Sequence, residues 1–459
     1  MTHLRFGTDG VRGVANRELT PDFALLLGRA AGRYLAEHGL KRRIVMGRDT
    51  RRSGPMLGAA FAAGACSVGT DVHSVGIAPT GAVSWLTRRR GDGLGVVISA
   101  SHNPSPDNGI KLFQTNGAKA TAESEAWIMA HLQDQVNLEG GEAIGKLTTG
   151  PAELDDYRRW LIDMVPERLD GLRIVVDCAD GSAYEIAPQV LRDLGADITV
   201  VNDAPTGDNI NSRGGATKPH VVQQAAREQG AIGISFDGDA DRAVFSDEDG
   251  NLINGDRTMA AWAAHWAETG GLTPPTVIGT VMSNGGFAAY LKERGVALHR
   301  ASVGDKYVSR LMEETGARVG GEQSGHIIFA GHGPTGDGLV TALEFLRVLR
   351  RSGRSARDFS AEFSNFPQIL INVQVERREG WDQDAQVQEA LKTAEARLQA
   401  AEGRLNVRAS GTQPMIRVMA EASDREVAEQ TADWLAEVLI ASRGGAIAGK
   451  VDLTDALGD

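Results

Sequence analysis

The chain has 459 residues, with 60 Asp and Glu against 48 Lys and Arg and a formal net charge of −12. The length suits about three or four domains, and the acidic balance argues against a general nucleic-acid or acidic-membrane surface, leaving any anionic ligand to local clusters of Arg and Lys. No apolar run is long enough to span a bilayer and the opening MTHLRFGTDG lacks the basic-then-apolar pattern of a signal peptide, so a cytoplasmic protein without membrane or nucleic-acid partners is expected.

In chain order, FGTDGVRG at residues 6–13 is a glycine-rich turn around Asp9 with a cation at Arg12. Residues 42–75 then give a short apolar strand, a polar turn, a helix-period stretch, a Gly and another strand, and residues 172–201 and 275–301 repeat that order. Three strand-helix-strand units imply mostly parallel sheets covered by helices, with ligand-binding loops at the carboxyl ends of strands. The turn GRDTRRSG in the first unit carries Arg48, Arg51 and Arg52, either an anion site or a solvated loop. Cys66 and Cys178 lie in apolar surroundings of different segments and read as buried free thiols in a reducing compartment. Composition places domains at 1–150, 151–256, 257–367 and 368–459, with helices expected over 154–164, 258–268, 384–401 and 424–441.

Four stretches carry chemistry. In GVVISASHNPSPDNGIKLF, residues 95–113, an apolar strand drives into a turn headed by Ser101, His102 and Asn103, and Lys111 follows an Asn108-Gly109 turn that can return it toward the serine. A hydroxyl beside a cation can hold a phosphoryl group, and a polar loop capping a buried strand is the plainer reading. Neighbouring side chains in such a turn are expected to point apart, which argues against a Ser101–His102 hydrolase pair. In IGISFDGDADRAV, residues 232–244, Asp237, Asp239 and Asp241 alternate after a strand, so extended backbone would converge three hard oxygen donors with only Gly238 and Ala240 between them. A divalent cation is their natural partner. Magnesium fits better than calcium in an EF-hand, because Arg242 stands where that loop needs Gly and strands flank it instead of helices. In VGGEQSGHIIF, residues 319–329, Glu322 and Ser324 alternate after a strand and suit sugar hydroxyls, and in NVRASGTQPMIRV, residues 406–418, Arg408 and Arg417 flank a Ser410-Gly411-Thr412 turn that can surround a dianion.

With SASHNP, DGDADR, FGTDGVRG, GGEQSGH and RASGTQPMIRV in one fixed order along nearly the whole chain, the sequence resembles the alpha-D-phosphohexomutases. The resemblance implies an α/β fold of three similar domains with mixed, mostly parallel sheets, and a smaller C-terminal α/β (α+β) domain that closes a central cleft. It implies that Ser101 carries a phosphoryl group, primed by a sugar bisphosphate or a kinase, and that Ser101 with Asp237, Asp239 and Asp241 holds one magnesium ion per active site. Arg12 then contacts phosphate near the serine, Arg242 neutralises further charge, Lys111 transfers a proton or stabilises charge, and His102 stands beside the serine. Glu322 and Ser324, assisted by His326, are assigned to the sugar, and Arg408, Ser410, Gly411, Thr412 and Arg417 to the distant phosphate. Gln413 departs from the family's usual Glu after the Thr, and Ser302 and Lys306 stand where Lys and Arg are expected. The expected reaction interconverts glucosamine 6-phosphate and glucosamine 1-phosphate through a sugar bisphosphate, for amino-sugar and cell-wall precursors, in a monomer or homodimer. The same chemistry on mannose or glucose phosphates is the alternative, and a catalytically silent phosphosugar- or metal-binding protein is the rival from another class.

Overall fold

A computed structural model describes residues 4–410 and 414–455. Its first three sheets are variations on one four-stranded unit. A central strand (Arg43–Arg48, Arg173–Asp177 or Thr276–Thr280) runs parallel to a neighbour on one side (Asp71–Ile77, Asp197–Val201 or Ala297–Ala301). On its other side runs a third parallel strand (Leu94–Ile98, Ile232–Phe236 or Val319–Gly321), which pairs antiparallel with a fourth (Asp107–Gln114, Ala243–Ser246 or Ile327–Phe329). Helices cover both faces, so Leu94–Ile98 and Ile232–Phe236 are buried at every position, the first as an apolar run and the second apolar but for Ser235.

The connection from third to fourth strand leaves each sheet at a carboxyl end, over residues 99–106, 237–242 and 322–326. The repeat thus brings three polar loops to equivalent places, where parallel sheets bind ligands. Val11–Val14 extends the first sheet by pairing antiparallel with Asp107–Gln114, setting Arg12 opposite Gly109. Asn108 and Gly109 lie inside that strand, so the turn expected there is not formed, and Lys111 instead stands in register with Val97. Gly109 serves close backbone approach, since a Cβ there would lie 2.4 Å from the Ser99 carbonyl oxygen.

The last sheet is wholly antiparallel, in the order Arg404–Ala409, Met415–Glu421, Gln368–Gln374, Ala446–Asp452. Helices Ala385–Ala400 and Arg425–Arg443 lie on it through Val387, Ala394 and Leu398 and through Ala428, Leu435 and Leu439, the spacing of one helical face. Its core is separate, whereas one continuous apolar cluster runs from Val45 and Trp85 in the first unit through Tyr157 and Phe245 to Trp262 and Leu343. Helix Gly255–Glu268 starts before the expected position because the Asn254 side chain accepts from the Arg257 N–H. No described helix is long and apolar enough to cross a membrane.

Helices Pro21–Glu37 and Gly54–Ser67 cross at backbone contact. A Cβ at Gly64 would lie 2.0 Å from the Leu25 carbonyl oxygen, and one at Gly28 2.0 Å from that of Phe61. Gly64→Ala is expected to force the helices apart and destabilise the first domain by about 1–3 kcal/mol. Urea unfolding followed by a probe in that domain should show a lower midpoint; an unchanged one would mean the helices separate at no cost.

Candidate active site

Ser101 sits at the end of strand Leu94–Ile98 with φ 51°, a left-handed conformation that costs a non-glycine residue on the order of 1–3 kcal/mol and persists only where the surroundings enforce it. The surroundings are explicit. The Ser101 N–H donates to Ser99 Oγ (2.9 Å), the Ser99 hydroxyl donates to Asp49 Oδ2 (2.6 Å), and that same oxygen accepts from Arg51 Nε (2.8 Å). Arg51 Nη2 donates to the carbonyl oxygens of Ser101 (2.9 Å) and Asn103 (2.7 Å), and Nη1 to those of Pro104 and Asp107. All five guanidinium donors are thereby spent, in a side chain that is fully buried, so Arg51 is neither of the alternatives open in the sequence. It is a scaffold for the serine loop. Arg48 donates to the Asp49 carbonyl (3.0 Å), and Arg52 pairs at the surface with Asp208.

This backbone aims Ser101 Oγ at the second loop, where it donates to Asp237 Oδ2 at 2.7 Å. His102 Nδ1 lies 3.3 Å from the same hydroxyl. The expectation that the two side chains point apart is therefore corrected: it assumed ordinary turn geometry, and the left-handed serine tips its neighbour back.

Asp237, Asp239 and Asp241 do converge, with ligand atoms within 4.8 Å of one another and all three buried. Extended backbone is not the cause. Strand Ile232–Phe236 ends before them, and a tight turn follows in which Ala240 has φ 55° and its N–H donates to the Asp237 carbonyl (3.0 Å). Gly238 is needed because a Cβ there would lie 2.6 Å from the Ser101 carbonyl oxygen. Lys111 Nζ reaches Asp239 (2.7 Å), Asp241 (3.0 Å) and Asp9 (2.8 Å), and Thr80 Oγ1 donates to Asp239 Oδ2 (2.6 Å). Burial, with Asp241 and Asp239 beside it, pushes the Asp237 carboxyl well above the usual range. Burial would also raise Asp241, but Lys111 and His326 outweigh it and hold that carboxyl well below. Asp239 Oδ1 and Asp241 Oδ1 are buried without a hydrogen-bond partner among the described residues. Orphaned carboxylate oxygens in a buried triplet of hard donors fit a divalent cation of the magnesium class.

Around this centre lies a cleft of about 480 Å³, lined by Arg12, His102, Arg242, Glu322, Ser324 and His326 among others. Arg12 donates to Asn103 Oδ1 (3.3 Å) and pairs with Asp9, and the Arg242 N–H donates to Asp237 Oδ1 (3.2 Å). His326 stands between Asp241 (3.6 Å) and Asp305 (3.5 Å); burial alone would lower its imidazole, but those two carboxylates raise it above its ordinary value. Glu322 Oε1 accepts from the Gly304 N–H (3.0 Å), tying two loops of the third domain together. Lys119, unmarked by any motif, joins Asp9 of the first domain to Asp305 of the third. Lys306 is turned to an ion pair with Glu125 (2.7 Å), and Ser302 is exposed, which accounts for neither departure at the sugar.

No described residue of the last domain lines the cleft. Arg408 and Arg417 are direct cross-strand partners, Arg417 Nε is buried without a partner among the described residues, and the Ser410 N–H closes the hairpin on the Met415 carbonyl (2.8 Å). Gly411, Thr412 and Gln413 lie outside the described residues.

Family models for phosphoglucomutase/phosphomannomutase match in four pieces: alpha/beta/alpha domain I at residues 3–138, domain II at 154–250, domain III at 254–366 and the C-terminal domain at 370–438. The chain belongs to the phosphoglucomutase/phosphomannomutase family. Within it, the chain is 45% identical to the phosphoglucosamine mutase of Desulforamulus reducens over 95% of this chain and 98% of that one. It is likewise 45% identical to the phosphoglucosamine mutase of Cereibacter sphaeroides, over 97% of this chain and 100% of the other. Among solved structures, a phosphoglucomutase/phosphomannomutase family protein of Burkholderia thailandensis has the same fold at TM-score 0.80 and 24% identity, over 96% of this chain and 99% of that one. So does Aspergillus fumigatus N-acetylphosphoglucosamine mutase, solved with GlcNAc-6P and magnesium, at TM-score 0.66 and 19% identity over 96% of each chain.

Gly238→Ala drives a methyl into the Ser101 carbonyl and should displace the serine relative to Asp237. Turnover of the folded enzyme is expected to fall by roughly 100-fold, the scale of a 1 Å misplacement, beside a destabilisation of about 1–3 kcal/mol from the overpacking; steady-state kinetics below the melting transition, with a melting curve, checks it.

Proposed function

We propose that this isomerase interconverts glucosamine 6-phosphate and glucosamine 1-phosphate, and that Ser101 is its phosphoryl carrier. The observation that carries the reading is a buried serine hydroxyl 2.7 Å from Asp237, within a triplet of buried carboxylates. The phosphoryl group on Ser101 passes to the free hydroxyl of the sugar phosphate, breaking the serine O–P bond, forming a sugar O–P bond and passing the hydroxyl's proton to the freed serine oxygen, which gives a sugar bisphosphate. The bisphosphate turns in the cleft, and its other phosphoryl group returns to Ser101. On return the serine hydroxyl must give up its proton, and His102 Nδ1 at 3.3 Å is within reach of it.

Asp237, Asp239, Asp241 and an oxygen on Ser101 would hold magnesium, which when bound withdraws charge from the transferring phosphoryl group. Lys111 supplies positive charge beside the triplet: burial would lower its ammonium, but Asp239, Asp241 and Asp9 outweigh that and raise it well above its ordinary value. Arg12, Arg242, Glu322, Ser324 and His326 line the same cleft; the two arginines would be further anion contacts, and the other three would meet sugar hydroxyls. Arg408 and Arg417, with Ser410, Gly411 and Thr412, would grip the phosphate that is not reacting. Like charges directly opposite in a sheet are unfavourable alone and become favourable around a dianion. The relatives named for glucosamine favour that sugar over mannose or glucose. A cytoplasmic role in cell-wall precursor supply suits the buried free thiols Cys66 and Cys178.

A coupled assay on the 6-phosphates of glucosamine, glucose and mannose, with magnesium and a bisphosphate primer, should show the highest kcat/KM for glucosamine. Preference for another hexose would discard the substrate assignment, and no turnover at all would favour a binding protein. Ser101→Ala is expected to lose both turnover and phosphate incorporation. Chelation should abolish activity and added magnesium restore it, and magnesium should raise the melting temperature of the native chain but not of Asp239→Asn.

A further inference from the structure

Arg51 grips the Ser101 loop from within its own domain; a second grip comes from the next domain. Residues 202–219 connect strand Asp197–Val201 to helix His220–Gln229 without a strand or helix of their own. Structureless connections of that length are uncommon in a compact domain unless they carry function. Here the connection delivers Asn211, buried, with φ 56°, a left-handed backbone that Asn tolerates better than most residues. Its main chain is pinned on both sides, the N–H donating to the Ala179 carbonyl (2.9 Å) and the carbonyl accepting from Lys218 Nζ (2.8 Å). Its side-chain Nδ2 donates across the domain boundary to the carbonyl oxygens of Ser101 (2.9 Å) and Asn103 (3.1 Å).

Those are the two carbonyls that Arg51 Nη2 already holds. Each accepts from both sides, which uses both lone pairs of a carbonyl oxygen. Rotation about the Ser101 ψ angle swings this carbonyl and the His102 peptide together, so it would break bonds to both domains at once. With Arg51 alone, one side stays open. We infer that Asn211 is a positioning residue for Ser101, the second-domain side chain that keeps its hydroxyl on the aspartate triplet while a phosphoryl group leaves and returns. This rests on Ser101 being the phosphoryl carrier.

The competing explanation is that Asn211 only folds its own loop, and Asn209 separates the two. Asn209 does that local work, accepting from the Thr206 N–H (2.7 Å) and donating to the Ala204 carbonyl (3.1 Å). It is half-buried and carries no such bond to the serine loop among the described residues.

The test uses the full chain with magnesium, as wild type, Asn211→Gly and Asn209→Ala. Glycine keeps the left-handed backbone and removes the whole donating side chain; Asn211→Asp, nearly equal in size and unable to donate when ionised, separates the donor from the packing and replaces it if the glycine variant does not fold. The readouts are kcat and KM on glucosamine 6-phosphate, phosphate on Ser101 by mass spectrometry after glucose 1,6-bisphosphate, and amide hydrogen exchange over residues 99–107. Asn211→Gly should lower kcat by roughly 10- to 100-fold, keep KM within about twofold and speed exchange in that segment, while Asn209→Ala stays near wild type in all three. Wild-type kcat and exchange in Asn211→Gly, or equal losses in Asn209→Ala, would overturn the inference. Wild type that takes no phosphate on Ser101 would instead remove the functional reading, and the exchange data would still decide whether Asn211 holds the loop.

Discussion

Three carboxylates buried within 4.8 Å of one another are the constraint around which this molecule is arranged. Desolvated like charges at that spacing raise one another's cost of ionisation, and a chain that buries them has to supply positive charge at the same place. Lys111 supplies part of it from the neighbouring domain, which makes the junction of the first two domains an electrostatic necessity. The remaining demand falls on Asp237, the carboxylate that accepts from Ser101 and that burial, with Asp241 and Asp239 beside it, pushes well above the ordinary carboxylate range. That unmet demand for positive charge lies beside the Ser101 hydroxyl, which ties the serine to the triplet.

The repeated strand unit makes such a junction easy to build. Because each of three sheets sends its third-to-fourth connection out at the carboxyl end, packing the units side by side brings a hydroxyl loop, an acidic loop and a mixed loop around one cleft. A continuous apolar cluster runs through all three units and packs them against one another. The last domain keeps its own core and meets the third through polar contacts, with Glu421 accepting from the Gly285 N–H (2.7 Å) and Arg404 donating to the Ser283 carbonyl (2.8 Å). A domain joined in this way can shift without opening an apolar core, which suits an intermediate that has to turn between two phosphate positions.

The loop that carries Ser101 shows how strain is contained. Its left-handed backbone is held by the Ser101 N–H bond to Ser99 Oγ, by hydrogen bonds from Arg51 and Asn211, and by a glycine at 238 that lets the two loops touch. None of these groups lines the cleft; they hold the serine loop in place from behind it.

Periodicity in the sequence by itself determined the strand-helix-strand units, because a buried parallel strand must read as an apolar run and its covering helix must show a 3.6-residue face. Motif chemistry likewise made Ser101 and the three aspartates legible, since hard donors two apart between small residues have few other uses. The mechanism of their convergence was not legible: alternation suggested extended backbone, and the structure uses a turn at Ala240 whose left-handed φ no composition announces. Tertiary structure alone decided the fate of the charged residues around them. Arg51 and Arg52 are adjacent in GRDTRRSG, yet one is buried as a scaffold and the other is exposed beside Asp208. Lys119 and Asn211 sit in stretches with no motif, and Lys306 is turned from the cleft by Glu125, far away in the chain. A charged side chain's role depends on which opposite charges and carbonyls the fold brings within 3–4 Å or so, and that distance is a property of the packed domains, not of the order of residues.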